Sequence, residues 1–111
     1  MQWIPLQEMG QLDEIVTRSH QQLQVIFKHS TRCSVSAMVL NRLEREQAPV
    51  GIDFYYLDLL SYRPISNAIA ELFQVHHESP QIIVIKNGEV IYDESHMAIQ
   101  MDEIAALVSF K

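Results

Sequence analysis

The chain is short of the residues from which many catalytic motifs are built. In 111 residues it has one cysteine, Cys33, and three glycines. A single cysteine excludes a disulfide within these residues, so any second sulfur must come from another molecule. Three glycines are too few to build a phosphate-cradling loop. Cations are also scarce, with eight Lys and Arg against fourteen Asp and Glu and a net charge of −6. Nucleic acids and anionic membrane surfaces recruit clustered Lys and Arg, so neither is the expected partner. No apolar run approaches the length of a transmembrane helix. The first residues, Met1-Gln2-Trp3-Ile4-Pro5, lack the basic and apolar regions of a signal peptide. The expected location is therefore the cytoplasm, where thiols stay reduced.

What the chain does have is apolar content. At 48% hydrophobic residues it has enough to bury a core, and its length suits one domain over residues 1–111. Trp3 to Leu6 reads as a short edge strand, because Pro5 is tolerated only at an edge. Leu12, Ile15 and Val16 recur at helical spacing behind the acids Asp13 and Glu14, which predicts a first helix over Leu12 to Ser19. Gln22 to Lys28 ends in a continuous apolar run, the pattern of a strand buried in mid-sheet. A longer helix is expected from about Cys33 to Gln47, with Val35, Met38, Val39, Leu40 and Leu43 inward and Ser30 or Thr31 as its cap. Ala48-Pro49-Val50-Gly51 ends it.

Ile52 to Leu60 is rich in branched and aromatic residues and predicts a strand. Pro64 opens a helix to Phe73, with Ile65, Ala68, Ile69 and Leu72 on one face. His76-His77-Glu78-Ser79-Pro80 is a loop. Gln81 to Lys86 and Glu89 to Asp93 flank Asn87-Gly88, a strong hairpin signal. Met101 to Phe110 is the last helix, with Ile104, Ala105, Leu107 and Val108 inward. Helical crossovers imply parallel strands and the Asn-Gly turn implies an antiparallel pair. The expected fold class is α/β, a mixed central sheet with helices on both faces.

The chemistry gathers in Phe27-Lys28-His29-Ser30-Thr31-Arg32-Cys33-Ser34-Val35-Ser36. Here the end of a buried strand runs into the start of a helix. A thiolate, not a thiol, is the sulfur nucleophile. Helix N-termini favour anions through free N–H groups and the dipole, and Lys28, His29 and Arg32 add positive charge. A core cysteine acting as a small hydrophobe is the plainer reading, but such a cysteine belongs inside a strand or on an apolar helix face. Cys33 is therefore expected to be a reactive thiolate. Arg63, Ser66 and Asn67, at the start of the third helix, could hold a carboxylate, though a solvated helix start explains them equally well. His76, His77 and His96 lack metal-ligand spacing, and no metal is expected.

The element order resembles the thioredoxin fold, with Cys33 at that fold's redox position. The resemblance implies a cis Ser79-Pro80 bond that turns the Ser79 backbone toward the substrate. It also places Ser36 where dithiol thioredoxins have their resolving cysteine, so that its hydroxyl could donate to the Cys33 sulfur. The stretch from Phe27 to Ser36, His77-Glu78-Ser79-Pro80-Gln81 and Glu94-Ser95-His96 together resemble the monothiol bacilliredoxins. These are small, thioredoxin-like, redox-active general stress proteins linked to bacillithiol. Many relatives have Pro after the cysteine, where this chain has Ser34.

The resemblance implies a thiol–disulfide oxidoreductase with Cys33 as nucleophile and Thr31, Arg32, Ser36, Ser79 and Pro80 around the substrate. No resident cofactor is implied; bacillithiol or a similar small thiol is the co-substrate. The implied partners are bacillithiolated client proteins, a small thiol and a reductase. Arg32-Cys33-Ser34-Val35-Ser36 is also similar to the Arg-Cys-Gly-Phe-Ser stretch of monothiol glutaredoxins, which would imply an iron–sulfur cluster carrier. A thioredoxin-like redox sensor or adaptor is the third reading.

Overall fold

The computed structural model describes residues 1–108. In chain order the elements are β1 (Ile4–Pro5), α1 (Gln11–Arg18), β2 (Leu23–His29), α2 (Ser34–Arg45), β3 (Ile52–Asp58), α3 (Arg63–Leu72), β4 (Gln81–Lys86), β5 (Glu89–Ser95) and α4 (Met101–Val108). A 3-10 turn, His96–Ala98, precedes α4. The five-stranded sheet has the order β1-β3-β2-β4-β5. β1, β3 and β2 are parallel, β4 runs antiparallel to β2, and β5 is antiparallel to β4 and so runs in the direction of the first three. The fold is thus the α/β class expected, a mixed sheet in a thioredoxin-like arrangement.

The sheet is covered on both faces because its central strands are apolar in both parities. Ile26, Tyr55, Leu57, Ile83 and Ile85 pack with Leu12 and Ile15 of α1 and Ile65 and Ile69 of α3. Val25, Phe27, Phe54, Ile82 and Val84 pack with Val39 and Leu43 of α2 and Met101 and Ile104 of α4. Continuous apolar runs in β2 and β4 are what a doubly covered strand requires. Asn87 and Gly88 both take positive φ (52° and 78°), which matches the twist of the hairpin they join.

The differences from expectation are local. α2 begins at Ser34 with Cys33 as its N-cap, and neither Ser30 nor Thr31 caps it; the cap makes no side-chain hydrogen bond. It ends at Arg45, because Glu46 is already extended (φ −88°, ψ 149°). Met38 and Leu72, predicted inward, are 57% and 51% exposed. Val35, Val39 and Leu43 already fill the inward stripe of α2, and Phe73, which caps the end of α3, packs inward in place of Leu72. β3 stops at Asp58, whose carbonyl accepts the Tyr62 N–H and whose carboxylate accepts the Ser61 hydroxyl. β5 continues to Ser95, beyond the expected Asp93. The end of the last predicted helix, residues 109–110, lies outside the described residues.

Candidate functional site: one cysteine at a helix N-terminus

One end of the sheet collects every candidate residue. β2 and β3 run parallel, so their C-terminal ends share this end with the starts of α2 and α3. β4 runs the other way and begins here, with Gln81 opposite Lys28 and Ser95. In open α/β sheets the carboxyl ends of the strands are where ligands bind. The main chain closes this end: the Leu59 N–H donates to the His29 carbonyl at 3.0 Å, and the His96 N–H to the Pro80 carbonyl at 3.0 Å.

Cys33 is partly exposed and unpaired. Its N–H donates to the Ser30 carbonyl at 3.2 Å, which turns the chain out of β2 and into α2. Its carbonyl accepts the Ala37 N–H at 3.1 Å, the first bond of the helix. The sulfur makes no capping bond. First-turn N–H groups have no intrahelical partner, so the start of α2 presents donors and a positive dipole end around the Cys33 side chain. Thr31 and Arg32 are exposed beside it.

Ser36 is fully buried. Its Oγ accepts the Ser30 N–H at 3.0 Å and lies 2.7 Å from His29 Nδ1. These two bonds, rather than one to the Cys33 sulfur, use the hydroxyl, so the expected donation to sulfur is not what the structure holds. Ser36 instead braces the turn before Cys33. His29 sits between Phe27 and Tyr56, with ring centroids 5.8 and 5.6 Å away. Burial pushes its pKa below the ordinary value, against the opposing pull of Asp58 and Glu44. In a neutral His29 the ring tautomer sets which of Nδ1 and the Ser36 hydroxyl donates in this bond.

The expected trio of cations around Cys33 is therefore corrected. His29 is neutral at neutral pH. Lys28, next along β2, points to the opposite face, because successive strand side chains alternate. It is fully buried. Its Nζ lies 2.6 Å from His77 Nδ1 and donates to Gln81 Oε1 at 3.2 Å. Burial lowers its pKa to about 8, although Glu78 pulls the other way. Burial, then the charges of Lys28 and Arg63, also holds His77 below its ordinary pKa. Arg32 is the cation left exposed beside Cys33.

The Ser79–Pro80 bond is cis. Pro80 is buried, and the Ser79 hydroxyl is buried without a partner. Glu78 lies between His76 (3.6 Å) and His96 (3.7 Å). Arg63 and Asn67 are exposed, whereas Ser66 is buried on the inner side of α3 with an unpaired hydroxyl, so the three do not form one cluster. Among the described residues no group of three or more His, Cys, Asp or Glu is placed to hold a metal ion. Also among them, no helix is long and apolar enough to cross a membrane. Sequence reasoning missed the Lys28–His77–Gln81 cluster. The signal was present: Lys28 shares the parity of Ile26 in a strand covered on both faces.

A lone, partly exposed cysteine capping the helix that follows the central strand, with a cis-proline loop at the same sheet end, defines a monothiol member of the thioredoxin-fold class. Solved structures agree. The chain is similar to a protein assigned as an oxidoreductase with a thioredoxin fold, at 29% identity and TM-score 0.76 over 93% of this chain and 90% of that one. It shares its fold with the thioredoxin of Malassezia sympodialis (16% identity, TM-score 0.74, 97% and 89% covered). The Fasciola hepatica thioredoxin is similar too (16%, 0.70, 96% and 98%). The family model for monothiol bacilliredoxin BrxC matches residues 4–104. This chain belongs to that family.

Proposed function

We propose that this chain is a cytoplasmic thiol–disulfide exchange protein that removes bacillithiol, or a similar small thiol, from protein mixed disulfides. The Cys33 thiolate attacks the small-thiol sulfur of the mixed disulfide. A new bond forms between that sulfur and Cys33, the client–small-thiol bond breaks, and the client leaves as a thiolate. A second small thiol or a reductase regenerates Cys33 by the same exchange. Thr31 and Arg32 flank the incoming disulfide, and Ser79 and Pro80 offer the opposite wall, where an extended substrate backbone can pair. The carrying observation is Cys33 at the N-cap of α2 without a second cysteine in the chain. Such a sulfur can take over a small thiol but cannot close an internal disulfide to release it.

The test is mass spectrometry of the reduced protein after incubation with a bacillithiolated client, with Cys33→Ser as control. The expected result is a gain of one bacillithiol on this chain, matched by its loss from the client and absent in the variant. A Cys33 that alkylates readily at neutral pH but accepts no small thiol would overturn the proposal.

A further inference from the structure

A fully buried lysine at the reacting end of the sheet is costly unless it is held. Lys28 is held by two acceptors, His77 Nδ1 and Gln81 Oε1. Gln81 is itself fully buried and holds the loop before it. Its Oε1 accepts the Glu78 N–H at 3.3 Å, and its Nε2 donates to the His76 carbonyl at 2.9 Å. Residues 75–78 have no regular secondary structure, so these side-chain bonds fasten the segment to β4 and β2. An ammonium has three donors and no acceptor. Facing it, the Gln81 amide can present only its oxygen; reversed, it would set NH2 against NH3⁺ and release both His76 and Glu78. His77 must likewise present a bare Nδ1. One charge thereby sets the sense of every bond in the cluster.

We propose that Lys28 is a positioning residue for the exchange reaction, its ammonium fixing the Gln81 amide and the His77 ring so that the 76–81 segment carries Ser79 and Pro80 in one arrangement. This rests on the reading of Cys33 as an exchange nucleophile. The groups facing the cluster are His76 and Glu78 in the loop, Arg63 at the start of α3 and Gln81 on β4. Glu78 supports the ammonium, while Arg63 opposes a proton on His77. The clamp is complete while Lys28 is charged and His77 is neutral. It loosens in acid, when two cations meet, and in alkali, as Lys28 loses its proton near pH 8.

The test compares the full chain with Lys28→Met, His77→Asn and His77→Leu. Two rates are taken across pH for each: exchange with a peptide–bacillithiol mixed disulfide, and alkylation by iodoacetamide. Their ratio cancels the thiolate fraction of Cys33. Lys28→Met should lower the ratio at neutral pH by on the order of ten- to a hundred-fold, the scale of a slightly misplaced binding group. Its alkylation rate should be kept, and its thermal midpoint should not fall, since a buried charge is removed. His77→Asn, which keeps an acceptor near Nδ1 but cannot titrate, should retain the ratio and lose the acid decline; His77→Leu should not retain it. An unchanged ratio in Lys28→Met, or a fall matched by lost alkylation and stability, would overturn the proposal. NMR judges the clamp without any substrate. The Gln81 side-chain amide and Glu78 N–H signals should move together as Lys28 titrates in the unmodified protein and not in Lys28→Met; signals that stay fixed would overturn it. Absent exchange in the unmodified protein would sink the proposed function and leave the spectra to decide the clamp.

Discussion

At the scale of single residues, the hydroxyl of Ser36 serves two buried partners, the Ser30 N–H and His29 Nδ1. Ser36→Ala leaves both unpaired, and an unmade buried bond costs about 1–3 kcal/mol. Urea titration should show a loss of that size. Lys28 gives a pH signature of opposite sense to a stabilising ion pair. Its pKa is about 8 in the fold against 10.5 for the free group, so between those values the unfolded chain binds more protons and stability rises with pH. The shift corresponds to about 3 kcal/mol carried as a cost at neutral pH. Denaturation curves should show part of that cost relieved between pH 8 and roughly 9.5, below the ordinary tyrosine range. Above it the phenols of buried Tyr55 and partly buried Tyr56, held above their usual pKa, act against the fold. His29 is also shifted downward by burial, so stability is lost as pH falls below the ordinary histidine value. The position of Cys33 at the start of α2 was legible from its place between strand and helix. The roles of Lys28 and His29 were not, because a count of nearby cations ignores that adjacent strand residues face opposite sides of the sheet.

At the scale of elements, α2 starts without help from its cap: Cys33 occupies the N-cap and makes no side-chain bond. Serine is among the best N-cap residues, and its oxygen accepts a first-turn N–H. Cys33→Ser should therefore abolish thiol chemistry and raise stability by about 0.5–1 kcal/mol, read as a higher denaturation midpoint. A lower midpoint would mean that the sulfur supports the fold through packing. α2 also anchors the turn after β5, where Arg42 donates to the carbonyls of Met97 (2.8 Å) and Ile99. The existence and type of the main elements were legible because their apolar periods differ and Pro64 and Asn87-Gly88 punctuate them. The phase of the helices was less so. Met38 and Leu72 fit a generous apolar stripe, yet the sheet below has room only for the narrower set of Val39, Leu43, Ile65 and Ile69. The 3-10 turn at His96–Ala98 has no periodic signal; His96 takes a positive φ of 56° there.

At the scale of the molecule, two apolar layers share one sheet, and its edges are poor templates for further strands. β1 is two residues long and includes Pro5, while β5 alternates exposed residues such as Glu89 and Asp93 along its length. Short, proline-bearing or charged edges resist pairing with other chains. The order of layers followed from the alternation of helices and strands, but the position of β2 between β3 and β4 needed the handedness of crossovers as well as the sequence. One feature lies at the far end from Cys33. The tip of the β4–β5 hairpin is tied to the end of α1, the Asn87 N–H to the Ser19 carbonyl at 2.9 Å and the Gly88 N–H to the Ser19 hydroxyl at 2.8 Å. These partners are distant in the chain, so the tie can close only after β2 and β4 have found each other; in kinetic terms it belongs to the late side of the folding barrier. Ser19→Ala, at a cost of about 1 kcal/mol, should therefore leave the refolding rate nearly unchanged and speed unfolding about fivefold in stopped-flow measurements. The end of the sheet opposite the cysteine would then set how long the folded state persists.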